Sequence, residues 1–191
     1  RHKDFAILTT IPRIKLNNGV DLPLIGLGVY RSGPDDTVRA VVSALKAGYR
    51  MVDTAAAYRN EAQVGDGIRR SGVDRKDIFI QTKLWISDYG YDAALHAFDR
   101  STRKLGFETV DLYLLHQPMT DEFDRTVAAW KAAERLLSEG RARAIGVSNF
   151  SPAHLTRLMA ETDIVPAANQ VELHPFFSQK ELMAEHKRLG I

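Results

Sequence analysis

Short apolar runs rich in β-branched and aromatic residues recur along the chain, and amphipathic stretches separate them. The runs LIGLGVY (24–30), YRMVD (49–53), IFIQTK (78–83), VDLYLLH (110–116), ARAIGVS (142–148) and AANQVEL (167–173) read as strands. Residues 35–47, 60–71, 91–105, 123–139, 151–161 and 178–189 carry the apolar spacing of helices. Gly48, Gly106 and Gly140 stand where a left-handed residue ends a helix, and Ser151-Pro152 reads as an N-cap followed by a first-turn proline. Ahead of the first strand, PRIKLNNGVDLPLIG sets Asn17-Asn18-Gly19 between two short β-like runs and predicts a hairpin.

Strands that are apolar almost throughout, alternating with helices, imply a parallel sheet covered by helices. The strand ends recur roughly every 30 residues, without an interdomain linker. That regularity points to the α/β class and, within it, to a TIM (β/α)8 barrel in one domain over 1–191 rather than an open sheet. In a barrel the hairpin would plug the end away from the mouth. Six strands are countable, and Leu189-Gly190-Ile191 falls where a seventh would begin. The expectation is therefore a partial barrel, an open half-cleft belonging to a chain of roughly 250 residues or more. Gly26-x-Gly28 is not a dinucleotide fingerprint: Arg31 occupies the third glycine position, and no helix opens directly on the glycines.

Composition narrows the function classes. The 191 residues are 45% hydrophobic and 26% charged, with a net charge of only +2 spread over mixed signs, so no nucleic-acid surface is expected. No apolar run approaches the ~20 residues of a membrane span, and the first residues lack the long apolar segment of a secretory leader. A cytoplasmic location is the expectation. Cysteine is absent, which excludes disulfides and thiolate chemistry. No His, Asp and Glu cluster has metal-ligand spacing, so no metal is expected.

In a barrel, residues at the C-terminal strand ends converge on one mouth. Asp53 ends the second predicted strand with Tyr58 just beyond it, Lys83 ends the third with Trp85 beyond, His116 ends the fourth, Ser148 and Asn149 the fifth, and Gln170 lies on the sixth. Singly, each has an ordinary reading: a helix cap, a half-buried tyrosine, a solvated lysine, a core histidine. Together, a carboxylate, an ammonium, a phenol and an imidazole make a proton-donating set. A free phenol, with a pKa of about 10, is a poor acid at neutral pH. Lys83 is expected to lower the pKa of Tyr58, Asp53 to neutralise and position Lys83, and His116 to orient a carbonyl. Asp111, early on its strand, is expected to serve stability at the barrel floor. His96, His154 and His186 are expected on the surface, and Glu172 and His174 in an architectural run.

The stretches GYRMVDTAAAYRNEAQVG (48–65), IQTKLW (80–85), DLYLLHQP (111–118), IGVSNF (145–150) and NQVELHP (169–175) occur in order. From about Pro12 to Ile191 the chain resembles the aldo-keto reductases, most of all the bacterial diketogluconate and methylglyoxal reductases within that family. The resemblance implies a catalytic set of Asp53, Tyr58, Lys83 and His116. It also implies Ser148, Asn149 and Gln170 as holders of the nicotinamide amide, and Tyr30 and Trp85 in the substrate pocket. Gln117 stands where many members carry a tryptophan, which removes an aromatic wall from that pocket. The implied activity is NADPH-dependent reduction of aldehydes or ketones, sugar-derived or dicarbonyl, by a protein that is monomeric when complete. The aromatic that stacks on the nicotinamide and the 2′-phosphate contacts are implied to lie in later strands. A cofactor-sensing regulatory subunit on the same scaffold is the alternative. A glycosidase using Asp53 and Glu172 fits less well, because it leaves Lys83 and Tyr58 idle.

Overall fold

The computed structural model describes residues 11–191, so the reading of the first ten residues as leaderless lies outside them. A two-stranded antiparallel hairpin, β1 (Arg13–Lys15) and β2 (Asp21–Pro23), comes first. Then β3 (Leu27–Gly28), β4 (Met51–Asp53), β5 (Phe79–Leu84), β6 (Val110–Leu115), β7 (Ala142–Ser148) and β8 (Asn169–Gln170) form one parallel sheet in chain order. The helices α1 (Pro34–Lys46), α2 (Glu61–Ser71), α3 (Tyr91–Leu105), α4 (Phe123–Ser138), α5 (Pro152–Glu161) and α6 (Lys180–Leu189) alternate with the strands. This is a six-stranded half-barrel with an N-terminal hairpin, as the spacing predicts.

The sheet separates two cores, and strand alternation decides which side chain joins which. Val52, Ile80, Tyr113, Ile145 and Val147 point outward and pack with Val41, Val64, Phe98, Trp130 and Leu155 of the helices. Phe79, Leu112, Leu114, Ala144 and Ala167 point inward into a smaller cluster that Leu16, Val20 and Leu22 cover from below. The hairpin is thus the floor of the barrel. One close approach fixes the helix layer tightly: a side chain at Gly65 of α2 would fall 2.0 Å from the carbonyl oxygen of Leu105, at the end of α3.

Helix ends follow their sequence signals. Gly48, Gly106 and Gly140 are all left-handed, and Ser151 caps α5 in a reciprocal pair with His154. The outer strands differ from expectation. Of 24–30 only Leu27–Gly28 is strand, and of 167–173 only Asn169–Gln170. Each has one neighbouring strand among the described residues, so half of its backbone groups find no ladder partner. Leu24 instead donates its amide to Pro12 at the hairpin, 2.9 Å. Glu172 and His174 pair with each other in an exposed loop after β8. His96 is exposed and His154 half-buried, but His186 is a correction: it is buried, with its Nε2 2.9 Å from Asn169 Nδ2. No described helix is long and apolar enough to cross a membrane.

Asp111, near the start of β6, is 2% exposed. It accepts from Arg75 Nη2 at 2.7 Å, Arg143 Nη1 at 2.6 Å and the Ile80 amide at 2.8 Å, so it ties β5, β6 and β7 together below the core. Asp111→Ala leaves that amide and two guanidinium groups without their acceptor. The expected cost is about 2–3 kcal/mol in denaturant unfolding, with the strand-end geometry at the opposite face unchanged.

Candidate active site

The alternation that builds the cores also aims the polar residues. Met51 and Asp53 share the inner face of β4, and Phe79, Gln81 and Lys83 that of β5; below them lies apolar packing, above them the mouth. His116, Ser148 and Gln170 follow the same rule at the ends of β6, β7 and β8. Five strands therefore deliver polar groups to one rim.

At the centre, Lys83 is 1% exposed and donates to Asp53 Oδ1 and, at 3.1 Å, to the carbonyl oxygen of Thr54. Its third donor faces the Tyr58 hydroxyl at 3.4 Å, and its Nζ lies 5.0 Å from the tyrosine ring centre. Asp53 has two further donors: Gln81 Nε2 at 2.7 Å and Gln170 Nε2 at 3.2 Å. Tyr58 ends a single 3-10 turn, Ala56–Tyr58, directly after the small residue Ala55. It is half-buried between Tyr30 and His116, with ring centres 5.0 and 5.5 Å away. Trp85 lies edge-on to His116 at 5.0 Å. The structure brings the predicted four, Asp53, Tyr58, Lys83 and His116, into one cluster. Neither Asp53 nor Thr54 caps a helix.

The electrostatics differ from the expectation in one respect. Burial, assisted by the Asp53 carboxylate, pushes the Tyr58 phenol up to about 12, whereas the sequence reading has Lys83 lowering it. The geometry gives the reason. At 3.4 Å the ammonium makes only a long bond to the phenol, and Asp53 already neutralises most of its charge. Burial likewise pulls the Lys83 ammonium below its usual range, opposed by Asp53. Burial, with the Lys83 charge adding to it, lowers the His116 imidazole to about 4, so it is neutral at physiological pH. Its Nδ1 is buried without a partner among the described residues.

On the other side of the mouth Asn149 adopts a left-handed backbone, φ 62°. Its Nδ2 donates to the His116 carbonyl at 3.0 Å and to Ser148 Oγ at 3.1 Å, and Ser148 Oγ donates to the Gln170 carbonyl at 2.8 Å. The amide oxygens of Asn149 and Gln170 make no hydrogen bond to another described residue, which leaves two acceptors for a carboxamide NH2. Those residues fit the nicotinamide amide that the resemblance implies. Tyr30, 64% exposed, and half-buried Trp85 border the approach. Gln117 follows His116, and its carbonyl oxygen accepts from Tyr89 Oη at 2.6 Å.

Gln81 joins the site without being singled out by its residue type, although strand alternation marks it: it stands two residues before Lys83 and so on the same face. Asn60, which ties down the loop behind Tyr58, had no such signal.

Known proteins agree with this architecture. The chain is 56% identical over 180 residues to a morphine 6-dehydrogenase of Pseudomonas putida, covering 94% of this chain and 60% of that protein. It is 46% identical over 179 residues to a glyoxal reductase of Bacillus subtilis, covering 93% and 64%. The chain thus spans less than two thirds of the length of these curated relatives. A crystal structure of an aldo/keto reductase from Brucella melitensis superposes with a TM-score of 0.91 at 50% identity, over 95% of this chain and 71% of that one. A Bombyx mori aldo-keto reductase in complex with NADP superposes with a TM-score of 0.89 at 38% identity, over 94% and 64%. The sequence profile of the aldo/keto reductase family matches residues 24–191, and the chain belongs to that family.

Proposed function

We propose that this chain carries the catalytic and nicotinamide-facing part of an NADPH-dependent reductase of aldehydes and ketones, with Tyr58 as proton donor. The observation that carries this reading is the buried line Asp53–Lys83–Tyr58, opening on a mouth that His116 shares. When bound, a nicotinamide dinucleotide would supply the hydride to the carbonyl carbon, leaving negative charge to build on the carbonyl oxygen. Tyr58 gives its O–H proton to that oxygen and becomes a phenolate. The Lys83 ammonium, held by Asp53, hydrogen-bonds the phenolate as it forms.

A phenol near 12 is adequate for this task. The conjugate acid of an alkoxide is about as weak as water, a far weaker acid than the phenol, so proton transfer from the phenol runs downhill. Neutral His116 donates a hydrogen bond to the carbonyl without adding a full charge to the pocket. Asn149 and Gln170 would accept from the nicotinamide carboxamide and so fix which ring face meets the substrate. Gln117, in place of an aromatic wall, favours small polar carbonyls such as dicarbonyls or sugar-derived aldehydes. The names of the glyoxal and morphine relatives support oxygenated substrates. A glycosidase is disfavoured, because Asp53 is engaged by Lys83 while Glu172 pairs with His174 in an exposed loop.

Tyr58→Phe removes the proton and keeps the ring. Turnover with a carbonyl panel and NADPH should fall by about two orders of magnitude or more, while cofactor binding by fluorescence quenching stays close to wild type. Near-normal reduction in this variant would sink the assignment; cofactor binding without turnover in the wild type would support a sensor instead.

The reverse reaction gives an independent check. Alcohol oxidation needs the phenolate, which is scarce below a pKa of about 12. The kcat/KM for oxidation should therefore climb with alkaline pH, about tenfold per unit in the simplest case, while reduction shows no loss attributable to Tyr58 across the same range. A flat oxidation profile would remove Tyr58 as the titrating base.

Gln170→Ala should weaken cofactor affinity more than it lowers the unfolding temperature. A folded variant with unchanged affinity and turnover would count against Gln170 as a cofactor residue.

A further inference from the structure

Two hydroxyls flank the charged pair on the opposite side of the sheet. Thr54 follows Asp53 and Thr82 precedes Lys83, so alternation turns both outward, and both are fully buried. Each donates to one of the two residues that end the tyrosine loop. Thr54 Oγ1 donates to Asn60 Oδ1 at 2.7 Å, and Thr82 Oγ1 donates to Glu61 Oε1 at 2.6 Å. Asn60, 4% exposed, also donates its Nδ2 to the carbonyl oxygen of Val29, just past β3, at 2.8 Å. It stands at the N-cap of α2, where asparagine ordinarily caps with its side chain, yet it makes no capping bond. Its amide is committed instead to the residues just past β3 and β4. Between Tyr58 and Asn60, Arg59 holds a left-handed backbone, φ 58°, a strained conformation for a residue with a Cβ that persists only when its surroundings enforce it.

We propose that Asn60 is a positioning residue that sets the distance from the Tyr58 phenol to Lys83. It clasps the end of the tyrosine loop to two strands and holds Arg59 in its strained form. The proposal rests on Tyr58 being the proton donor. Without the clasp, Arg59 relaxes, the 3-10 turn swings away from the mouth, and the bond to Lys83, already long, is lost. Asn60 is buried and spends its amide on Thr54 and Val29, so its removal should act on the proton-transfer step and not on binding.

The test is a double-mutant cycle in the intact protein, with glyoxal and NADPH as the assay pair. Asn60→Ala and, separately, Thr54→Val are each combined with Tyr58→Phe. In the parent background each should lower kcat roughly ten- to hundredfold, the scale of a misplaced reacting group, with KM and NADPH affinity held within about threefold. In the Tyr58→Phe background the same substitutions should change the residual rate by less than about twofold, because the group they position is gone. Equal losses in both backgrounds, or an unchanged kcat in the parent, overturn the proposal. If Asn60→Ala does not fold, Thr54→Val, which removes one hydroxyl, decides the matter by the same criteria. A Tyr58→Phe protein as active as wild type is a separate outcome: it removes the proton donor, and the positioning role falls with it.

Discussion

A buried ammonium is tolerable only when its charge is matched, and the centre of this molecule is organised around that requirement. Lys83 sits at the end of a strand whose six residues are all buried, where an isolated positive charge would be strongly unfavourable. Asp53 on the adjacent strand answers it, and Gln81 and Gln170 in turn satisfy Asp53. The third donor of the ammonium is then left for the phenol. Tyr58 lies within reach of this paired charge, and the charge adds to the burial that keeps His116 neutral.

The pairing also accounts for the acidity of the phenol. Had the ammonium been free, it would have lowered the phenol in the usual way. Because Asp53 takes up its charge, burial wins, and Tyr58 becomes a weaker acid than free tyrosine. Such a group holds its proton until a strong base, such as an alkoxide, forms beside it.

Strand alternation made much of this legible in the sequence. Asp53, Lys83, His116 and Gln170 could be placed on one rim because strand ends of a parallel barrel converge, and the helix termini were marked by Gly106, Gly140 and Ser151. What escaped depended on contacts between distant residues. The edge strands shrank to two residues each because ladder bonds come from neighbours, which local pattern does not encode. His186 looked like a surface residue of an amphipathic helix until Asn169, seventeen residues earlier, met its ring. The direction of the Tyr58 shift turned on a separation of 3.4 Å, which no spacing rule supplies. Asn60 had the residue type of a cap, and only the fold reveals that its amide goes to Val29, thirty-one positions away.

The bond from Gln170 to Asp53 joins residues 117 positions apart, from the second and the sixth strands of the parallel sheet. Contacts of such separation form late, since the intervening chain must be ordered first. A folding chain can therefore complete the packing of helices α1 to α4 against β4–β7 while Asp53 still lacks one of its donors. The full set of donors around Asp53 would then close only after most of the stability is in place.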